Sequence, residues 1–156
     1  HIKALNLSQT RLDRKMMDYR ARSRGIENNT TARDMALILE KIYQGRILNK
    51  EMTNRALEVL KRQKYRDRIP ARLPRDTVVA HKTGLENNIV HDAGIVYTAN
   101  GNYLICVLTR SPALYRDAKR LIATLALECY KYMQAAPRLG TVHKFSFAWL
   151  PMDTHP

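Results

Sequence analysis

Four consecutive residues, His81-Lys82-Thr83-Gly84, combine a cation, a hydroxyl and a residue without a side chain. They end an apolar extended run, Thr77-Val78-Val79-Ala80, so the spacing predicts that they lie on a strand. At a strand edge, Lys82 can supply a fixed positive charge to an acidic substrate group and Thr83 can donate a hydrogen bond to the same group. Gly84 lets a ligand lie against the backbone. The other reactive residue types form weaker arrangements. His91-Asp92 has the composition of a base with its orienter, but neighbours on a strand face opposite ways. By the same alternation His81 points away from Lys82, which favours a structural role. His143 and His155 show no ligand spacing, and no metal is implied. Cys106 and Cys129 fall within apolar runs and read as buried free thiols.

These residues need a scaffold, and the chain is long enough for one domain with its own core. It has 156 residues, of which 45% are hydrophobic and 26% charged, a composition that excludes general disorder. No run approaches the roughly 20 apolar residues of a membrane helix, and the opening residues lack a secretory signal. Twenty-seven Lys and Arg against fourteen acids give a net charge of +13, which suits an anionic partner such as a cell-wall polymer. The basic residues are spread without interleaved stacking aromatics, so nucleic acid is not expected.

Residues 2–7 read as the end of a helix and 8–29 as a long loop, together the first unit, residues 1–30. The second unit, 31–76, is helical. Thr31 is a candidate N-cap for a helix with Met35, Ile38, Leu39 and Ile42 on one face, ended by Gly45. A second helix starts after Asn49 with Met52, Ala56, Val59 and Leu60 inward. The third unit, 77–134, switches to strands: Thr77–Lys82, a polar connection Leu85–His91, then about Ala93–Thr98 and Tyr103–Thr109 joined through Asn100-Gly101. A helix from Pro112 to about Met133 follows, with Leu114, Ala118, Leu121, Ile122, Leu125 and Cys129 in helical period. The tail, 135–156, alternates Phe145, Phe147, Trp149 and Leu150 as one more strand or an extended arm. The expected fold class is α/β (α+β), an open antiparallel sheet packed with helices.

The ordered motifs resemble class A β-lactamases and related penicillin-recognising serine hydrolases, over roughly residues 2–134. Thr10-Arg11-Leu12-Asp13-Arg14 is similar to the opening of that family's Ω loop, and Asn29-Thr30-Thr31 to its close. His81-Lys82-Thr83-Gly84, His91-Asp92-Ala93-Gly94-Ile95-Val96 and the closing helix follow in the family's order. The resemblance implies the C-terminal portion of a serine-dependent transpeptidase-like fold, with no cofactor. It implies substrate binding by Lys82, Thr83 and Gly84, with the backbone N–H of Leu85 as an oxyanion donor. It also implies a bacterial protein outside the cytoplasm, acting by acyl transfer on β-lactams or cell-wall-type peptides.

Two departures qualify what this chain can do alone. No serine has lysine three positions later, and Ser-Asp-Asn is absent. Both family elements precede the Ω loop, so the nucleophile is expected in a missing N-terminal half, and this chain by itself is expected to be inactive. Met16 stands where class A enzymes carry the glutamate that activates the deacylating water. A thioether cannot accept a proton, so poor deacylation is expected. Asp18 and Glu27 are the nearest acids. Asn29 replaces the aspartate that pairs with the arginine matched by Arg14, which predicts an Arg14–Asn29 hydrogen bond and a more mobile loop, with Asp13 shaping it. Two alternatives are a non-catalytic basic module that binds an anionic polymer or a partner domain, and a degenerate enzyme half.

Overall fold

A computed structural model describes residues 2–110 and 114–135, and the backbone of 143–148. The helices begin where the sequence offers caps. The Thr31 hydroxyl accepts the Asp34 N–H at 3.1 Å and opens α2, Ala32–Tyr43. The Asn49 side chain accepts the Met52 N–H at 2.8 Å and opens α3, Lys50–Lys61. Before them, residues 2–7 form a single 3-10 turn, Lys3–Leu5, rather than a helix end; Asn6, at φ 58°, breaks it. Within the 8–29 loop lies a short helix, α1, Tyr19–Ser23, capped by the Asp18 carboxylate on Ala21 N–H at 2.9 Å.

The sheet has the order β1-β2-β3-β4. Strands β1 (Val79–Glu86), β2 (Ile89–Val96) and β3 (Tyr103–Arg110) are antiparallel, and β4 (His143–Ala148) lies parallel to β3. The tail therefore contributes a strand; Trp149 and Leu150 lie outside the described residues. Asn100-Gly101 lies in the β2–β3 connection as expected. The supposed connection Leu85–His91 is instead mostly ladder, because Asn88 takes a left-handed φ of 60° and reverses the chain within two residues. Its polar residues are compatible with strand because that end of the hairpin is open to solvent.

Each face of the sheet buries its own core. On one side, α4 (Tyr115–Ala135) and the 3-10 turn Ile69–Arg72 cover Val79, Val96, Tyr103 and Ile105. On the other, α2 covers Ala80, Ala93, Ile95 and Leu104, with Leu57 and Leu60 of α3 packed alongside. Strand alternation thus places Val79, His81 and Thr83 toward α4, and Ala80, Lys82 and Gly84 toward α2 and α3. The inner face of α3 is Thr53, Ala56, Leu57 and Leu60; Val59 is 61% exposed and Met52 is also exposed, contrary to the expected stripe. One residue of helix is about 100° of rotation, and a short, polar helix offers more than one apolar stripe; packing on β1 selects one. Leu114, just before α4, and Leu121 within it are likewise exposed, while Ala118, Ile122, Ala126, Cys129 and Met133 face the sheet. Pro112 lies outside the described residues.

Cys106 and Cys129 are free and buried, on opposite faces of the sheet. Burial pushes their thiols up to about 12 and about 11, which removes them as nucleophiles at neutral pH. No helix among the described residues is long and apolar enough to cross a membrane.

Candidate functional site

β1 is an edge of the sheet, with no strand on its outer side among the described residues. On it Lys82 is exposed and Thr83 and Gly84 are half-buried. Lys82 Nζ donates to the Thr83 carbonyl at 2.6 Å. Among the described residues no carboxylate pairs with Lys82, and the Thr83 hydroxyl has no hydrogen-bond partner. A cation and a hydroxyl left unpaired on successive residues of an edge strand leave on opposite faces, so both can serve one external carboxylate only where it lies against the strand edge between them. Leu85 follows, 52% exposed, opposite Val90. An added Cβ at Gly84 would stand 3.2 Å from Cβ of His91, so the residue opposite also favours glycine there.

Beneath this edge, on the α4 face, His81 and Asp92 form a buried pair: Nδ1 lies 2.9 and 3.0 Å from the two carboxylate oxygens. Asp92 Oδ2 also accepts the Ile69 N–H at 3.1 Å, joining the 3-10 turn to β1 through β2. Gly94 is opposite His81, and a Cβ there would meet Cβ of His81 at 2.5 Å and the Ala80 carbonyl at 2.8 Å. The pair is therefore a strut that fixes β1, and His81 has the structural position its alternation predicts. Asp92→Ala strands two buried donors and is expected to cost about 3–5 kcal/mol, read as a fall in the urea midpoint. A change below about 1 kcal/mol would refute the strut.

The 8–29 loop is closed at its neck by backbone bonds. Arg11 N–H donates to the Asn29 carbonyl at 2.8 Å and Asn29 N–H returns to Arg11 at 3.0 Å. The expected side-chain bond between Arg14 and Asn29 does not form. Arg14 pairs with Glu27, its Nε at 3.0 Å and Nη2 at 2.6 Å from Oε2, while the Asn29 amide donates to the Glu27 carbonyl at 3.1 Å. Glu27 reaches further from the loop's far arm than Asn29 and carries the charge that asparagine lacks. Arg22 then links Glu27, at 3.1 Å, to Glu86 at the end of β1, at 2.8 Å. The ion-pair chain, rather than a weak neutral bond, ties the loop to β1 and removes the premise for unusual mobility. Asp13 lies 3.6 Å from Arg11 on the surface. At the loop's start, Asp34 of α2 is 2% exposed and accepts the Gln9 N–H at 2.9 Å and the Thr10 hydroxyl at 2.7 Å.

The hydrogen bond from Arg14 holds the Glu27 carboxyl below its ordinary 4.5. A depressed carboxyl stabilises the folded state above its unfolded value, and that contribution is lost as pH falls through the folded one. Amide exchange in residues 12–28 is expected to rise several-fold in Glu27→Gln, and in the unmodified protein on acidification below 4.5. Unchanged exchange in both cases would show that the backbone neck alone holds the loop.

Met16 is 84% exposed near the middle of this loop. Neither nearby acid is free to replace a base there: Asp18 caps α1 and Glu27 is held by two arginines. His91 and Asp92 do not act together. The His91 Nδ1 accepts the Thr109 N–H at 3.0 Å, and burial lowers its pKa, with Arg68 adding to the effect.

Arg68 was not singled out by sequence. It is 2% exposed, Nε and Nη1 make no hydrogen bond, and Nη1 stands 3.6 Å from Asp67, an ion-pair distance too long for a hydrogen bond. It is an under-partnered buried guanidinium whose charge disfavours protonation of His91, the residue opposite Gly84. In sequence it is one of several arginines in the basic stretch 61–75, and only burial distinguishes it.

The chain matches the beta-lactamase enzyme family over residues 1–133. It is similar to the structure of PBP-A, at 27% identity and a TM-score of 0.70, covering 86% of this chain and 49% of that one. A mutant of PBP-A solved as an acyl-enzyme complex with penicillin G matches at 26% identity and a TM-score of 0.70, over 86% and 50% of the two chains. A beta-lactamase from Sphaerobacter thermophilus shares the fold at 22% identity and a TM-score of 0.72, over 87% and 52%. No curated protein matches. The chain spans about half the length of the structures it resembles. The match over most of its length, together with the strand edge and the helices that cover the sheet, shows that this chain belongs to the beta-lactamase enzyme family.

Proposed function

We propose that the intact protein is a serine hydrolase that accepts an acyl group from β-lactams or cell-wall-type peptides and releases it slowly, and that this chain supplies its substrate-orienting half. The observation that carries the reading is an open strand edge on which Lys82 has no carboxylate partner and the next residue, Thr83, has a hydroxyl without a hydrogen bond, among the described residues. In this reading the two groups hold the substrate carboxylate. The backbone N–H of Leu85 receives the oxyanion that forms as a serine oxygen from the rest of the protein attacks the carbonyl carbon. The C–N bond then breaks, the nitrogen takes a proton, and an acyl ester remains. The penicillin G acyl-enzyme of PBP-A supports the substrate class. The 8–29 loop corresponds to an Ω loop whose base position, Met16, cannot activate water. A bacterial location outside the cytoplasm belongs to the same proposal.

Denaturing intact mass, taken on the whole protein with and without penicillin G, tests it. The expected result is a gain equal to the drug's mass that persists for hours after excess drug is removed. No adduct at saturating drug would reject the reading.

A further inference from the structure

Between the 3-10 turn Ile69–Arg72 and the N-terminal half of α4 lies a groove of about 510 Å³, walled by Arg72, Arg116, Lys119 and Arg120, with Asp67 as the carboxylate of its lining. The volume falls in the range, roughly 300–1,000 Å³, of clefts that hold ligands. Asp67 is already neutralised, with Lys119 Nζ 2.7 Å from Oδ2 and Arg68 3.6 Å from Oδ1. Arg72 Nη1 donates to the Thr124 hydroxyl at 3.0 Å, a contact that orients the guanidinium without cancelling its charge. Arg116 is 76% exposed and among the described residues pairs only with Asp117, at 3.7 Å. Arg120 has no ion-pair partner among the described residues.

This arrangement opposes the local stability of α4. Arg116, Lys119 and Arg120 sit in the first two turns of a 21-residue helix, where the macrodipole is positive, and Arg116 and Arg120 are a like-charged i,i+4 pair. Asp117 in the first turn offsets part of this charge, and the local conflict that remains is the kind expected at functional sites. We infer that the groove binds a chain bearing successive phosphate charges, a phosphodiester or polyphosphate polymer without stacking bases. Three guanidinium forks match phosphate oxygens bidentately, and several cations along one groove can meet successive charges. The uncharged lining is Ala71 and Ala123, which gives no aromatic platform for a nucleobase and no apolar side chain long enough to enter a bilayer. The groove lies on the α4 side of the sheet, opposite the face of Lys82, and the inference stands apart from acyl transfer.

The test is fluorescence anisotropy of labelled polyphosphate with the intact protein at 50, 100 and 200 mM salt. With Lys119 already paired to Asp67, three cations at roughly −0.7 each predict a slope of log affinity on log salt near −2. Arg116→Gln/Arg120→Gln is expected to weaken binding at least tenfold, and Arg116→Lys/Arg120→Lys, which keeps the charge and loses the forks, by an intermediate factor. Arg46→Gln/Lys50→Gln removes the same charge from exposed positions in the α2–α3 connection and at the first residue of α3, and should change affinity less than twofold. Circular dichroism checks folding, and the lysine pair decides the matter if the glutamine pair does not fold. Equal weakening by the groove and control pairs would overturn the inference in favour of diffuse attraction to a +13 surface. So would absence of binding at 50 mM salt, or tighter binding of charge-matched single-stranded DNA or anionic vesicles.

Discussion

Replacing Lys82 with alanine is expected to slow acylation of the intact protein by penicillin G roughly 10²- to 10³-fold. Truncating one partner of a charge pair costs about 2–5 kcal/mol, and each 1.4 kcal/mol is a factor of ten. The full effect should appear as function and not as stability, because Lys82 is exposed and, among the described residues, its side chain's one hydrogen bond is to the Thr83 carbonyl. A substitution of that kind leaves folding within about 0.5 kcal/mol. Lys82→Arg keeps the charge in a different geometry and should recover part of the rate. The measurement is the pseudo-first-order growth of the adduct peak by intact mass at several drug concentrations, beside a thermal melt of each variant. An unchanged rate with an unchanged melt would mean that the substrate carboxylate is held elsewhere.

The second large effect is a gain. Met16→Glu is expected to shorten the lifetime of the penicilloyl adduct by 10²- to 10⁴-fold, the range that a positioned general base contributes. Met16 is 84% exposed, so the fold accepts a carboxylate there without burying a charge. The loop is already clamped by the backbone neck at Arg11 and Asn29 and by the Arg14–Glu27 pair, which keeps the new group from drifting. Met16→Gln is the control, since an amide of the same shape accepts no proton. Decay of the adduct peak after removal of free drug reads the result. Equal lifetimes in Glu and Gln variants would show that position 16 does not face the acyl group.

Most of the scaffold was legible in the residues because the relevant signals are local. Thr31 and Asn49 cap helices through side chains that need only the next three residues, and the apolar run before Lys82 alternates with the period of a strand. The placement of His81 away from Lys82 follows from that alternation alone, as does the separation of His91 from Asp92. Where two local answers were equally good, the sequence misled. Leu85–His91 reads as a polar loop because Glu86, Asn87 and Asn88 are turn formers, yet cross-strand bonds extend the ladder to Glu86 and Ile89. The stripe of α3 held at Ala56 and Leu60 but not at Met52 and Val59, because which side faces β1 depends on a surface distant in sequence.

By itself the chain determined its order of elements, its Lys-Thr-Gly edge and the absence of an acid at Met16, all of which are properties of residue type and short-range spacing. Only the tertiary structure decided which charges pair. Glu27, not Asn29, meets Arg14; Asp92 joins His81 to the 3-10 turn; Arg68 is buried while its arginine neighbours in sequence are exposed; and Arg72 comes to lie beside Arg116 and Arg120. The reason is physical: capping and strand period act within a few residues, whereas ion pairing and burial depend on the distances and dielectric that exist only once α4 and the loop have packed onto the sheet.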